Sequence, residues 1–224
     1  MAEPTPSGPA RAPGGQRRTL DDLVRRGIRD RRVIEAMRAI PRRAFVPEAL
    51  GEAARGDDAL PIGERQTISQ PWTVARMCEL LEPDGTGRVL EIGTGSGYHS
   101  AVLSSLFEIV YSVERIPALA ERARLTLRGL GIEKVHIKIF DGTYGWSEFA
   151  PYRAIVVTAG APSVPDPLVQ QLEDGGHLLL PLAAAGDSRS QVLTRLTRRG
   201  SGVARAEFER VRFVRLVGRF GWPE

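Results

Sequence analysis

Apolar residues recur along this chain with two periods, and the change between them falls near Gly87. Before it the spacing is helical: Leu20, Leu23 and Val24 share one face, Val33, Ile34 and Met37 a second, and Val74, Met77, Leu80 and Leu81 a third. Thr19 with Asp22 predicts a capping pair for the first of these helices, Asp30 opens the next, and Pro41 stops it. A short helix is expected around Pro47–Ala53 and an extended stretch over Asp57–Ile68, after which Pro71 suits the first turn of another helix. Beyond Gly87, compact apolar runs at Arg88–Gly93, Ile109–Glu114, Val135–Phe140, Ala154–Thr158 and His177–Leu182 read as strands, the last following a turn at Gly175–Gly176. Helices Tyr98–Leu106, Pro117–Leu130 and Pro165–Leu172 lie between them. Strands apolar on both faces and alternating with helices predict an α/β fold with a doubly wound, mostly parallel sheet. Gln191–Thr197 and Glu207–Leu216, parted by the turn Arg198–Gly202, predict an antiparallel C-terminal pair.

The first sixteen residues hold four prolines and three glycines and almost no large apolar side chain, so they predict a disordered tail. With the boundary drawn after residue 18, one domain is expected over 19–224. It divides into a helical cap region 19–83, a ligand-binding core 84–186 and C-terminal strands 187–224. The 224 residues are 42% hydrophobic and 26% charged, which excludes collagen and wholesale disorder. No apolar run approaches the ~18 residues of a membrane span and no signal-peptide pattern opens the chain, so a cytoplasmic protein without a membrane partner is expected. Cys78 is the one cysteine, and with three scattered histidines it offers no metal-ligand spacing.

Charge is polarised. Residues 1–47 carry 11 Arg against 5 acids, residues 188–224 carry 9 Arg against 3, and the middle carries 11 basic against 19 acidic residues. Such ends read first as solvated helix and strand faces, with attraction of an anionic partner at long range as the alternative. No basic run is interleaved with aromatics, so nucleic acid is not expected, and a monomer is.

The most specific local signal is Glu91-Ile92-Gly93-Thr94-Gly95-Ser96-Gly97 at a strand end, where glycines let a ligand approach the backbone and the chain turn into a helix. A nucleotide phosphate loop needs Gly-Lys-Ser/Thr, but Gly97 precedes Tyr98-His99, and a dinucleotide fingerprint needs glycine where Tyr98 stands. The remaining pattern, E-x-G-x-G-x-G, resembles motif I of class I S-adenosylmethionine-dependent methyltransferases. Glu114, at the end of the next strand and 21 residues after Gly93, is placed to accept hydrogen bonds from two ribose hydroxyls. Asp141-Gly142 follows the third strand, where a carboxylate can meet the exocyclic amine of adenine. A ligand-free structural loop, with both acids as helix caps or turn formers, is the competing reading.

The stretches Arg43-Ala44-Phe45-Val46-Pro47, Ala59-Leu60-Pro61-Ile62-Gly63, Gln66-Thr67-Ile68-Ser69-Gln70-Pro71, Val89 to Tyr98, Ser112-Val113-Glu114-Arg115, Gly145-Trp146, Ala150-Pro151-Tyr152, Val157-Thr158-Ala159 and Val211-Arg212-Phe213-Val214 resemble, in the same order, the protein-L-isoaspartate O-methyltransferase family. The resemblance covers roughly residues 20–218. It implies a Rossmann-like methyltransferase sheet that binds S-adenosyl-L-methionine and esterifies the free carboxyl of L-isoaspartyl residues in damaged proteins and peptides, initiating repair. Matched by motif, Ser69 takes the place of the family's active-site serine. Thr67 and Ile68 would lie beside the cofactor's methionine end. Glu91, Gly93, Thr94, Gly95 and Gly97 would wrap the cofactor, Glu114 and Arg115 border its ribose, and Asp141 and Gly142 its adenine. Thr158 and Ala159 would sit near the sulfonium and substrate, and Val214 and Leu216, on the last strand, would hold the peptide. Against that, Ser69 and Thr67 are also suited to capping the helix at Pro71, and Val214 to the core. Arg65, Arg153 and Arg215 depart from the family's usual glycine, aspartate and proline. Arg65 and Arg215 flank the inferred peptide site and leave open a same-fold enzyme acting on another carboxylate. A non-catalytic binder of an anionic partner is the alternative of another class.

Overall fold

The computed structural model describes residues 14–184 and 187–224. Helices α1 (Gly14–Arg25) and α2 (Arg31–Ala39) lead to a hairpin of β1 (Leu60–Gly63) and β2 (Gln66–Ile68), and α3 (Pro71–Leu80) follows. The alternating part comprises β3 (Arg88–Ile92), α4 (Tyr98–Ser104), β4 (Ile109–Glu114), α5 (Pro117–Gly129), β5 (Val135–Ile139), β6 (Tyr152–Val157), α6 (Asp166–Gln170) and β7 (Leu172–Ala184). The long strands β8 (Asp187–Arg199) and β9 (Gly202–Val211) complete it.

One seven-stranded sheet runs in the order β5-β4-β3-β6-β7-β8-β9. The first five strands in that order are mutually parallel, and β8 and β9 add antiparallel. Successive residues of each strand feed opposite faces: Val89, Val110, Ala154 and Val156 pack under α1–α5, while Leu90, Ile92, Val113, Ile155 and Val157 pack on the other side with Leu168 of α6 and Leu216. The sheet is the predicted doubly wound one, with its helical cover weighted to one face. Among the described residues no helix is long and apolar enough to cross a membrane.

Several elements differ from expectation. α1 begins at Gly14, so residues 14–18 of the predicted tail are helical, consistent with the good helix formers Gln16, Arg17 and Arg18; residues 1–13 lie outside the described residues. Thr19 is therefore mid-helix, and its hydroxyl donates to the Arg55 carbonyl at 2.5 Å instead of capping. Val24 stays 39% exposed because α1 ends in a left-handed glycine turn, in which Gly27 N–H donates to Val24 O and Ile28 N–H to Leu23 O, and Ile28 is buried in its stead. In place of one helix near Pro47–Ala53, single 3₁₀ turns stand at Arg42–Phe45, Glu48–Leu50 and Ala53–Arg55, punctuated by Pro47 and Gly51. The Gly175–Gly176 turn is an irregularity within β7, where its register against β6 shifts.

The last strand also ends early, at Val211, which pairs with Gln191. The Gln191 side chain then takes over from the ladder by accepting Phe213 N–H at 2.7 Å. The chain crosses the strand ends, held by Gly160 N–H to Val214 O (2.7 Å) and Leu216 N–H to Gly160 O (2.9 Å). Val214 and Leu216 thus lie beyond β9 rather than on it.

Arg65 occupies the two-residue turn of the β1–β2 hairpin with Glu64, at φ 55° and 51°. Both are left-handed, a region in which a Cβ is costly and glycine is favoured. Arg65→Gly is expected to raise unfolding stability by about 0.5–1 kcal/mol in urea titration, since the relief exceeds the added chain entropy.

Candidate active site

The strand order reverses between β3 and β6: the chain winds outward from β3 through β4 to β5, then returns to β6 and winds the other way. Ligand crevices of open parallel sheets form at such a point, outside the carboxyl ends of the strands. Here Thr158, just past β6, donates its hydroxyl to Gly93 O at 2.7 Å and Ile92 O at 3.0 Å, and its N–H to Ile92 O at 2.9 Å. Gly93 has φ 98°, and a Cβ there would collide with that hydroxyl. Gly97, φ 86°, turns the loop into α4, and its Cα approaches so closely that an added Cβ would lie 3.1 Å from Ala123 of α5.

Glu114 is buried at the end of β4, where Oε2 accepts Gly95 N–H and Oε1 accepts Ile116 N–H, both at 2.9 Å. Each oxygen keeps a second acceptor position. The carboxylate therefore shapes the glycine loop and still offers hydrogen-bond acceptors to a ligand.

A cleft of about 840 Å³, counted to its open mouth, lies over this loop. Thr67, Ile68, Ser69, Gly93, Thr94, Gly95, Glu114 and Arg115 line it, as do Gly142, Thr158, Ala159, Val214 and Leu216. Ile116, Leu119 and His99, to which the sequence assigned no ligand contact, also line it, as does Arg215. Arg215 stacks over Trp222 at 5.2 Å. Neither Arg65 nor Arg153 lines the cleft, and Arg153 pairs with Asp84 and Glu173.

Glu91, Gly97 and Asp141 stand behind the lining. Asp141 Oδ1 accepts Thr143 N–H (2.9 Å) and the Thr143 hydroxyl (2.7 Å), and Oδ2 accepts Arg219 N–H (2.8 Å), while the neighbouring Gly142 lines the cleft. Glu91 is fully buried; Oε2 accepts from the Ser100 and Ser112 hydroxyls, and Ser112 in turn meets Thr94 Oγ1 at 2.6 Å. Its Oε1 has no hydrogen-bond partner, with His99 Nδ1 3.6 Å away. Burial pushes the Glu91 carboxyl up to about 8 and His99 down to about 4. At neutral pH this contact therefore joins two uncharged groups and is no ion pair. The other face of His99 meets the buried Cys78 thiol at 3.3 Å.

Ser69 is half-buried at the cleft edge, and among the described residues its hydroxyl has no hydrogen-bond partner. Neither it nor Thr67 caps α3: the cap residue is Gln70, without a side-chain bond, and Asp57 accepts Trp72 N–H at 2.8 Å. Beneath Ser69 lies a residue that sequence reasoning passed over. Arg42, 6% exposed, donates to Ala54 O (3.1 Å), Gly56 O (3.3 Å), Asp58 O (2.6 Å) and Ser69 O (3.1 Å), tying the loop before β1 to the serine.

A doubly wound sheet with an acid-glycine loop at its switch point and an acid ending the next strand is the architecture of a class I methyltransferase. The family profile described as Protein-L-isoaspartate(D-aspartate) O-methyltransferase (PCMT) matches residues 16–221, and the chain belongs to that family. A protein-L-isoaspartate O-methyltransferase of Geobacter metallireducens is 54% identical over 201 residues, 89% of this chain and 92% of that protein. One from Magnetococcus marinus is 48% identical over 223 residues, 99% of this chain and 96% of that one. A solved protein-L-isoaspartate O-methyltransferase superposes with TM-score 0.82 at 32% identity over 92% of this chain and 67% of its own. A Plasmodium falciparum relative, solved with S-adenosyl-L-homocysteine, does so with TM-score 0.75 at 25% identity over 89% and 96%.

Because the Glu91 carboxyl titrates above its unfolded value, the stability gained by holding it neutral is full below the ordinary carboxylate range and is lost as pH rises toward about 8. Unfolding stability of the wild type should fall between about pH 5 and 8, and that of Glu91→Gln should be flatter by at least about 1 kcal/mol over the same window. Parallel slopes in urea titrations across that range would show that Glu91 is ionised in the folded protein.

Proposed function

We propose that this chain transfers a methyl group from S-adenosylmethionine to the free carboxyl of L-isoaspartyl residues in damaged proteins, initiating their repair, and that it acts in the cytoplasm as a monomer. The observation that carries the reading is Ser69. Its unpartnered hydroxyl lies on the edge shared by the loop cleft and a second groove lined by Thr67, Ser69, Thr158 and Val214. The family relatives named above support the substrate. A chain with a single, buried cysteine needs no oxidising compartment.

The residues present fit the cofactor. Glu114 offers two buried acceptor positions for vicinal hydroxyls, Gly95 and Gly93 present bare backbone, and Ile116 and Leu119 supply an apolar wall. When bound, the cofactor supplies an electrophilic methyl group on a sulfonium. The substrate carboxylate, with pKa ~3.9, is already the nucleophile at neutral pH, so the chain needs no general base. Its task is orientation and exclusion of water. Ser69, fixed through its carbonyl by Arg42, aims its hydroxyl at the carboxylate, while Thr158 locks the glycine loop opposite. Asp141 contributes by shaping the turn that presents Gly142.

Transfer of labelled methyl to a synthetic isoaspartyl peptide, compared with its aspartyl isomer, tests this reading. Labelling of neither peptide would leave a binder or an enzyme for another carboxylate. Ser69→Ala should lower the maximal rate roughly 10–1000-fold with little change in cofactor affinity, the range for losing one positioned donor. Glu114→Ala should weaken S-adenosylmethionine binding by about 2–4 kcal/mol in calorimetry, from two charge-assisted bonds to hydroxyls and a slackened Gly95.

A further inference from the structure

The second groove, which meets the cofactor cleft at Thr67, Ser69, Thr158 and Val214, is walled by Arg210, Val211, Arg212 and Phe213, with Arg26 and Trp72 across it. Among the described residues no acidic side chain lines it. The charge of Arg26 is already met by Asp22 and Asp57, and its guanidinium lies over the Trp72 ring at 4.8 Å. Arg210 and Arg212 differ: both are exposed, and neither has an anionic partner among the described residues.

Their placement follows from a bulge. Opposite Val192–Thr194 of β8, the strand β9 spends one extra residue, so Thr194 pairs with Glu207 and Val192 with Arg210. The two bulged residues both face α3: Phe208 packs against that core and beneath Arg76 at 5.5 Å, and Glu209 pairs with Arg76 at 2.9 Å. Beyond the bulge Val211 and Phe213 pack against the core, and Arg210 and Arg212, which alternate with them, stay exposed and border the groove. A strand without the extra residue would present the opposite alternation.

We propose that Arg210 and Arg212 give this enzyme a preference for isoaspartyl sites flanked by further acidic residues, whose carboxylates they attract while the isoaspartyl group itself sits at Ser69. This rests on the methyltransferase reading given above. The groove is a protein site because it opens directly on the reacting position, and its arginines are too few and too local to follow a long polyanion.

The test uses three isoaspartyl peptides that differ only in carrying glutamate, alanine or lysine on either side of the damaged residue. At low salt the glutamate peptide should be methylated with kcat/KM about three- to tenfold above the lysine peptide, the range supplied by one or two exposed ion pairs, with the difference in KM. The ratio should shrink at high salt, collapse in the double variant Arg210→Gln, Arg212→Gln, and be largely restored by lysine at both positions. Equal kcat/KM for the glutamate and lysine peptides, or a preference that survives the double glutamine variant, overturns the charge preference and leaves the activity standing. Methylation of no isoaspartyl peptide by folded wild type that binds S-adenosylhomocysteine overturns the activity itself and this proposal with it.

Discussion

The site depends on the seam at which β3 and β6 part. Two parallel strands end side by side, their chains leave in opposite directions, and one hydroxyl, Thr158 Oγ1, closes the gap by donating to the carbonyls of Ile92 and Gly93. A side chain on Gly93 would occupy the space of that hydroxyl. The seam fixes where the glycine loop begins, and Glu114 fixes where it goes by holding Gly95 from the neighbouring strand. The crevice is therefore defined by backbone and two short side chains, with little conformational freedom to lose on binding.

Around that rigid seam the second half of the site is assembled from the cap. Ser69 lies on no element of the seven-stranded sheet; it is held at the crevice by a buried guanidinium that gathers four carbonyls from two segments. Among the described residues Arg42 has no carboxylate partner at hydrogen-bond distance, and burial lowers its pKa. A charge solvated by dipoles alone is specific in geometry, since removing it would orphan several buried carbonyls at once. Its Nε is unpartnered, a further sign that the arginine is placed for the carbonyls it collects.

Much of this was legible in the residues because strand-end chemistry is local. Glu91 to Gly97 and Glu114 carry their meaning in spacing: Gly93 to Gly95 and Glu114 line one crevice, and Glu91 and Gly97 stand behind it. What escaped was set by side chains meeting across long sequence gaps. Arg42 is one of eleven arginines in the first 47 residues, and nothing in its neighbourhood distinguishes a buried clamp from a solvated surface charge. Asp141 reads as a free acid, whereas Thr143 and Arg219, 78 residues on, both donate to it. The end of β9 is decided by the Gln191 side chain, so a period-2 pattern that continues to Leu216 overruns the strand.

The chain contains no asparagine in 224 residues, and aspartate precedes glycine at Asp84, Asp141 and Asp174. Asparagine, and aspartate before glycine, are where a backbone amide most easily attacks its neighbour's side chain and turns an ordinary residue into an isoaspartyl one. The first route is closed by composition. The second requires the carboxyl carbon to swing onto the glycine nitrogen, and each of these carboxylates accepts a backbone amide: Asp84 from Thr86 two residues on at 3.0 Å, Asp141 from Thr143 and from the distant Arg219, and Asp174 from the distant Gly200 at 2.7 Å. The turn that presents Gly142 to the cleft thus also restrains the carboxylate that such ageing would have to move.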